Sequence, residues 1–320
     1  MRLLIHISLN LNFFMIVSSL KAMTGDSFVI KWKENNLLID GGMPNTYGEI
    51  QRKVQGNNLR AVFVTHVDYD HIGGVINLIK QPEIDISNCT FFMNNPDLAS
   101  NYNGSEVRYE HGDTLQKMLQ QRGTDFLPVT KDSVPIEIEG LKITPILPTQ
   151  SLCQKLCDNW DLSRTWDEVK GDYDYLKSQK NNGDIINKAS VCLIIEYAQK
   201  KVLMLGDSHA DDVKESLKEF EEYKFDLVKL SHHGSKHNTN AGLLELIDCN
   251  DYIISTNSNK YEHPDPETIK LLSNRAREKG CEFNIYLNYP IEGIIRQRYM
   301  QKYNAELDSL TFIFQQDVEL

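Results

Sequence analysis

The sequence predicts a layered α/β fold, and three observations carry that prediction. Short apolar runs rich in β-branched and aromatic residues alternate with stretches of helical period from residue 14 to residue 315. One such run, Ala61–Thr65, passes straight into a loop and then a helical segment, the order that layered α/β proteins use. No internal repeat, linker or low-complexity tract divides the 320 residues, so a single domain spanning 1–320 is the simplest count.

The elements follow in order. Residues 3–20 are apolar behind a lone Arg2, which raises the possibility of a secretory signal; His6, Asn10 and Asn12 interrupt the run and no small-x-small cleavage site follows. The favoured reading is a first strand within Phe14–Leu20 behind an N-terminal extension at 1–13. Ser27–Lys33 and Asn36–Ile39 read as a hairpin ending in Asp40-Gly41-Gly42, Val75–Lys80 as a helix and Thr90–Asn94 as a strand. Leu115–Arg122 reads as helical, and Ile136–Pro148 as two strands around Glu139-Gly140. Strands are expected at Val191–Glu196, Val202–Leu205, Phe225–Leu230, Tyr252–Thr256, Glu282–Leu287, Gly293–Tyr299 and Leu310–Gln315. Helices are expected at Ala210–Glu222 and at Pro266–Lys279, the latter with its proline at the start. Residues 150–185 break the alternation and read as a mostly helical insertion, either a lid or a plain surface excursion.

Composition excludes several classes. Hydrophobic residues at 41% and charged residues at 25% are ordinary for a soluble globular chain and exclude a disordered, collagen-like or polytopic membrane protein. The net charge of −11 argues against a general coat for nucleic acid, although bound divalent metals can bring positive charge to a site on an acidic protein. Six cysteines are too few for a disulfide scaffold and point to a reducing, cytoplasmic setting. Cys153 and Cys157 are spaced to share a helix face, but no second ligand pair lies near them in sequence.

The chemistry concentrates in Thr65-His66-Val67-Asp68-Tyr69-Asp70-His71-Ile72-Gly73-Gly74. Four imidazole or carboxylate side chains fall within six residues, between a buried strand and a helix. Such donors suit a divalent metal, zinc or manganese, with magnesium as an alternative. This run resembles the HxHxDH signature of the metallo-β-lactamase superfamily; with Asp68 in place of the second His it looks like the C-terminal domain of ComEC-type competence proteins and their stand-alone relatives. Further landmarks stand in the family's order: Gly25-Asp26-Ser27, Asp40-Gly41-Gly42, Asn187-Lys-Ala-Ser190, Gly206-Asp207, Ser231-His232-His233-Gly234-Ser235 and Asn257 to His263-Pro264.

The resemblance implies a four-layer αβ/βα sandwich with one or two divalent ions at its open end. It implies His66 and Asp68 on a first metal, Asp70, His71 and His233 on a second, and Asp207 between them. Asn187 stands where the superfamily usually has a His, as a weak ligand or a residue that orients ligands, and His232 as a neighbour of the ligands. Asp70 would also orient the attacking water, and His263 would contact a phosphate or protonate the leaving group. Asp26 and Asp40 are expected to fix turns beside the site, with Asp26 the more expected of the two to touch the metal shell.

The expected activity is a metal-dependent hydrolase using a metal-activated water, foremost a phosphodiesterase or nuclease. The expected substrate is a phosphate ester, either single-stranded DNA or a nucleotide, with no membrane involved. The alternatives are hydrolysis of a small ester, lactone or nucleotide, and a non-catalytic metal-binding subunit held by a protein partner in a larger assembly.

Overall fold

Apolar alternation along the strands decides how the layers stack. The computed structural model describes residues 14–56, 58–81, 83–94, 115, 118–160, 185–219, 223–259 and 261–320. The first sheet contains β1 (Met15–Ser19), β2 (Phe28–Trp32), β3 (Asn35–Ile39), β4 (Asn58–Val64), β5 (Thr90–Met93) and β6 (Phe126–Pro128). The second contains β7 (Ile136–Ile138), β8 (Leu141–Leu147), β9 (Cys192–Tyr197), β10 (Lys200–Met204), β11 (Leu227–Lys229), β12 (Asp251–Ile254), β13 (Phe283–Leu287) and β14 (Leu310–Phe314). A last strand, β15 (Asp317–Glu319), returns to the first sheet and pairs antiparallel with β1.

One parity of strand residues from both sheets, including Val17, Ile30, Ala61, Phe63, Leu193 and Val202, forms an apolar cluster that contains no helical residue. This is the sheet-on-sheet core. The other parity, including Val62, Val64, Leu203 and Val228, packs with the helical residues Ile72, Val75, Val213 and Leu272. Helices therefore cover the outer faces, giving the expected four layers.

The strand order gathers the parallel strands into one side of each sheet. In the first sheet β3, β4, β5 and β6 run parallel, and in the second β10 to β14 do so. Parallel strands bring their carboxyl ends to one edge, where connecting loops can converge. The segments after β4, β10 and β11 supply the ligand candidates, and those after β3 and β12 supply Asp40 and His263 beside them. Among the bonds that fasten the sheets together there, Val191 N–H donates to Thr65 O (2.9 Å) and the Asn288 amide donates to Leu20 O (2.7 Å).

Helices α1 (Tyr47–Val54) and α2 (Tyr69–Lys80) follow β3 and β4. The second begins six residues before the expected start, so the glycine pair of the motif lies inside it. A Cβ on Gly74 would fall 2.0 Å from Gly41 O, so the glycine admits the Asp40-Gly41-Gly42 turn against the helix rather than a ligand.

The expected strand at Gly293–Tyr299 is instead part of a helix, Glu292–Tyr303. Ile291, Ile295 and Tyr299 are buried one turn apart while Gly293 and Ile294 are exposed, so the four-residue burial period outweighs the β-branched pair. Asn304 ends this helix in the left-handed region, φ 48°. The helix expected at Ala210–Glu222 stops at Leu217.

Residues 150–185 open with a helix, Gln150–Trp160; positions 161–184, the extension 1–13 and His111 lie outside the described residues. Cys153 is buried with its thiol pushed up to about 11 by burial, and no candidate metal group among the described residues includes a cysteine. Among those residues no helix is long and apolar enough to cross a membrane.

Candidate metal centre

The ligand loop is built by the end of β4. His66 emerges one residue past Thr65, buried to 1% exposure, and Asp68 occupies the position preceding α2. An aspartate there usually accepts a hydrogen bond from the first turn of its helix. The Asp68 side chain makes no such bond; its Oδ2 lies 3.8 Å from His66 Nε2. Asp70 and His71 sit in the first turn of α2, half-buried and buried respectively. Gly25 presses against this turn from the first sheet, where a Cβ would fall 1.6 Å from Asp70 O.

Four imidazoles converge on one carboxylate oxygen. Asp207 Oδ2 lies 3.5 Å from His71 Nε2, 3.7 Å from His232 Nε2, 3.8 Å from His233 Nε2 and 4.0 Å from His66 Nε2. Two groups of donor atoms are close enough to share an ion: His66, His71 and Asp207, and Asp70, His71 and His233. His71 belongs to both, whereas the sequence places it with the second metal alone. Asp68 stands beside the first group through His66.

The far sides of the rings are fixed by hydrogen bonds. His66 Nδ1 lies 3.0 Å from Thr65 Oγ1 and 3.1 Å from Ser190 Oγ. His71 Nδ1 lies 2.8 Å from Asp40 Oδ2, and Asp40 also accepts from Thr65 N–H (2.8 Å) and Thr65 Oγ1 (2.6 Å). His233 Nδ1 lies 2.9 Å from Ser255 O and 3.2 Å from Asp26 Oδ1. Partners on Nδ1 leave each Nε2 facing the cluster, the arrangement that orients metal-binding histidines. Buried polar atoms are normally hydrogen-bonded. His66 Nε2 is buried with no hydrogen-bond partner, and His71 Nε2 likewise. A divalent cation supplies what this donor set lacks, so the residues fit a metal.

The electrostatics agree. Burial opposes charge on every member. For His71, Asp207 and Asp40 outweigh it and hold the pKa well above the usual histidine value; Asp26 and Asp207 raise that of His233. Burial, with His71 adding to it, drives His66 well below that value. Asp207 is held far down by His232, His71 and His233 in spite of its burial. Burial, then His233 and His232, bring His263 down to about 4.

The remaining expected residues fall at the margin. His263 stacks near the cluster, its ring 5.5 Å from His232 and 6.3 Å from His233. Asn187 lies two residues before Ala189-Ser190, its carbonyl accepting from Ser190 N–H (2.9 Å), and Ser190 contacts His66. Asp26 and Asp40 hold ligand rings and do more than fix turns. Sequence reasoning quoted Thr65 and Ser190 only as motif residues, with no role, and missed Lys229. The one available signal was a lysine inside the apolar run Leu227-Val-Lys229-Leu230.

Comparison with known proteins adds three findings. Residues 20–87 match the model of the metallo-beta-lactamase superfamily. Over 91 residues the chain is 29% identical to ComE operon protein 3 of Bacillus subtilis (strain 168), a match that takes in 28% of this chain but only 12% of that protein. Among solved structures, the metallo-beta-lactamase fold protein YhfI from Bacillus subtilis is similar at a TM-score of 0.49 and 14% identity, over 97% of this chain and 100% of that one. Zn(2+)-bound PqqB from Methylobacterium extorquens is similar at 0.46 and 12%, over 96% and 99%.

Proposed function

We propose that this chain, which carries a metallo-beta-lactamase superfamily segment at 20–87, is a metal-dependent hydrolase of phosphodiesters. The convergence of four imidazole Nε2 atoms on Asp207 Oδ2, in a buried cluster with an unpartnered donor, carries the reading. His66, His71, Asp207, Asp70 and His233 would hold one or two divalent ions, with Asp68 beside them. Three carboxylates shift this donor set toward oxygen, which favours harder ions such as manganese over a zinc site rich in histidine. Harder ions suit phosphoryl oxygens.

When bound, divalent ions polarise a phosphoryl oxygen and make water nucleophilic near neutral pH. The protein does the positioning. Asp70, half-buried in the first turn of α2, takes the hydrogen bond that orients the attacking water. His263, with its pKa near 4, is a neutral imidazole at pH 7. It therefore serves as a hydrogen-bond partner for the phosphate group rather than as the acid that protonates the leaving group. The acidic balance of the chain favours a short or single-stranded nucleic acid, or a nucleotide, over long duplex DNA.

The test is cleavage of bis-p-nitrophenyl phosphate and of a single-stranded DNA oligonucleotide with Mn²⁺, Zn²⁺, Mg²⁺ or EDTA, beside Asp70→Ala. Metal-dependent cleavage of both, lost in the variant, is the expected result. Cleavage of the small ester alone would redirect the reading to a nucleotide or other small substrate. Metal binding without turnover on either would favour a non-catalytic subunit.

A further inference from the structure

A lysine is sealed behind the ligand cluster. Lys229, the last residue of β11, is 1% exposed. Burying an ammonium group is costly unless it is paired and hydrogen-bonded. Its Nζ forms an ion pair with Asp26 Oδ2, donates to Gly206 O at 2.8 Å, and lies 3.7 Å from Asp207 Oδ1. Asp26 is equally buried, and its other oxygen lies 3.2 Å from His233 Nδ1. A Lys229–Asp26–His233 chain thus runs behind two of the ligand candidates.

The two oxygens of Asp207 therefore meet different surroundings. Oδ1 faces the lysine ammonium, while Oδ2 faces the four imidazoles. The Asn238 amide and Ser190 hydroxyl hold the Asp207 main chain, through its carbonyl at 2.9 Å and its N–H at 3.3 Å, so the side chain is aimed from a fixed base. A carboxylate with one oxygen committed to a cation on one side has a single oxygen left for the other.

We infer that Lys229 is a positioning residue of the metal centre: it claims Asp207 Oδ1, so that Oδ2 is the one carboxylate oxygen presented to both metal positions. The inference rests on the metal-centre reading above. It gives Asp26 a role that its distance from Asp207 conceals. Asp26 balances the ammonium, and without it Lys229 would draw Asp207 away from the metals.

The experiment compares Mn²⁺ binding by calorimetry, and the Mn²⁺ magnetic-resonance spectrum, for the unsubstituted protein, Asp26→Asn, and the double variant Asp26→Asn/Lys229→Met. The double variant removes a charge pair without changing net charge. Any change in metal affinity therefore reports orientation rather than bulk attraction, and replacing both partners of a buried pair is usually tolerated by the fold. The expected result is a melting transition like that of the unsubstituted protein with Mn²⁺ affinity about 10- to 100-fold weaker, the range for losing a residue that orients a ligand. The spin-coupled signal of two ions sharing one oxygen should also be lost. Should the double variant not fold, Asp26→Asn carries the test, with Mn²⁺ affinity falling at least about tenfold. Unchanged affinity and spectrum in a folded variant would overturn the role of Lys229 while leaving the metal centre standing. Failure of the unsubstituted protein to bind Mn²⁺ would overturn both.

Discussion

Asp40→Asn is the sharpest perturbation available, because it changes one atom and no shape. Asp40 is buried and accepts three hydrogen bonds: Thr65 N–H on Oδ1, and Thr65 Oγ1 and His71 Nδ1 on Oδ2. All three partners donate to it. An asparagine can present its oxygen to only one side, so its amide NH₂ must face a donor. Keeping the oxygen toward Thr65 Oγ1 and His71 turns the two surviving bonds from charged to neutral, a loss of about 1 kcal/mol each. Leaving Thr65 N–H opposite a donor adds about 1–3 kcal/mol. Burial raises the pKa of Asp40, so removing its charge recovers some desolvation and trims the net loss to about 2–4 kcal/mol. The backbone does not object: Asp40 has φ 57°, a region asparagine tolerates. Against a domain stability of about 5–15 kcal/mol the variant should still fold. The assay is urea unfolding in EDTA, paired with Mn²⁺ titration, where affinity should drop about 10- to 100-fold because His71 loses the partner that fixes its ring. A variant within about 0.5 kcal/mol of the unsubstituted protein, the usual range of inconsequential surface substitutions, and with unchanged Mn²⁺ affinity would refute this account of Asp40.

Three further outcomes follow from the same geometry. His71 has a raised folded pKa, so its protonated form contributes stability that is full below the unfolded value of about 6.5 and fades as pH climbs through the folded value. A metal needs the Nε2 lone pair, so Mn²⁺ uptake near pH 7 should release protons and tighten with rising pH. Calorimetry in two buffers of different ionisation enthalpy reads this directly, and buffer-independent heats would contradict it. Gly25→Ala places a methyl group 1.6 Å from a main-chain oxygen of the ligand loop, which no rotamer can relieve. It should cost about 1–3 kcal/mol or more in unfolding free energy and weaken metal binding through Asp70, and an unshifted melting temperature would count against the packing described. Burial pushes the thiols of Cys192 and Cys249 up to about 12, so a thiol reagent at pH 8 should leave both unmodified in the native protein while the half-buried Cys157 and Cys281 react first; mass mapping after labelling decides this.

The legible part of the sequence was whatever local chemistry announces. Ala61–Thr65 followed by four ligand types is visible without a fold, because buried strand residues and metal donors are rarely mixed so closely. The hairpin around Glu139-Gly140 and the helix Pro266–Lys279 were legible from turn residues and from the helix-starting proline. Partnerships set by distant parts of the chain were not. Lys229 falls inside an expected strand with nothing local to pair it, and only the arrival of Asp26 from 203 positions earlier makes it an internal counter-charge. Asp40 and Asp26 each precede or follow a turn, so a turn role, with Asp26 also expected near the metal shell, stood for them until the fold carried them onto His71 and His233. Gly293–Tyr299 misled because isoleucine pairs favour strands locally, whereas burial of Ile295 and Tyr299 on one face is a tertiary fact.

The His232-His233-Gly234 turn shows what the fold concedes to gather its ligands. All three residues adopt left-handed backbone angles, with φ of 46°, 55° and 84°. For the two histidines this conformation costs of order 1–3 kcal/mol each, and it persists only where surroundings enforce it. In an extended strand, adjacent side chains would point to opposite faces. Here the two imidazoles lie 5.6 Å apart, tilted by 79°, and both reach Asp207 Oδ2. Several contacts hold the turn in place, three of them on its backbone. Ser235 N–H donates back to His232 O at 2.8 Å, His232 N–H donates to Gly206 O at 3.1 Å, and Pro264 packs where a Cβ on Gly234 would lie. The bond to Gly206 ties the turn to the residue preceding Asp207, so the donors on β11 and β10 are set by one shared constraint. Strain at this point is accounted for by convergence on a single carboxylate oxygen. A purely structural turn would need neither two adjacent imidazoles nor a backbone bent to bring both to the same atom.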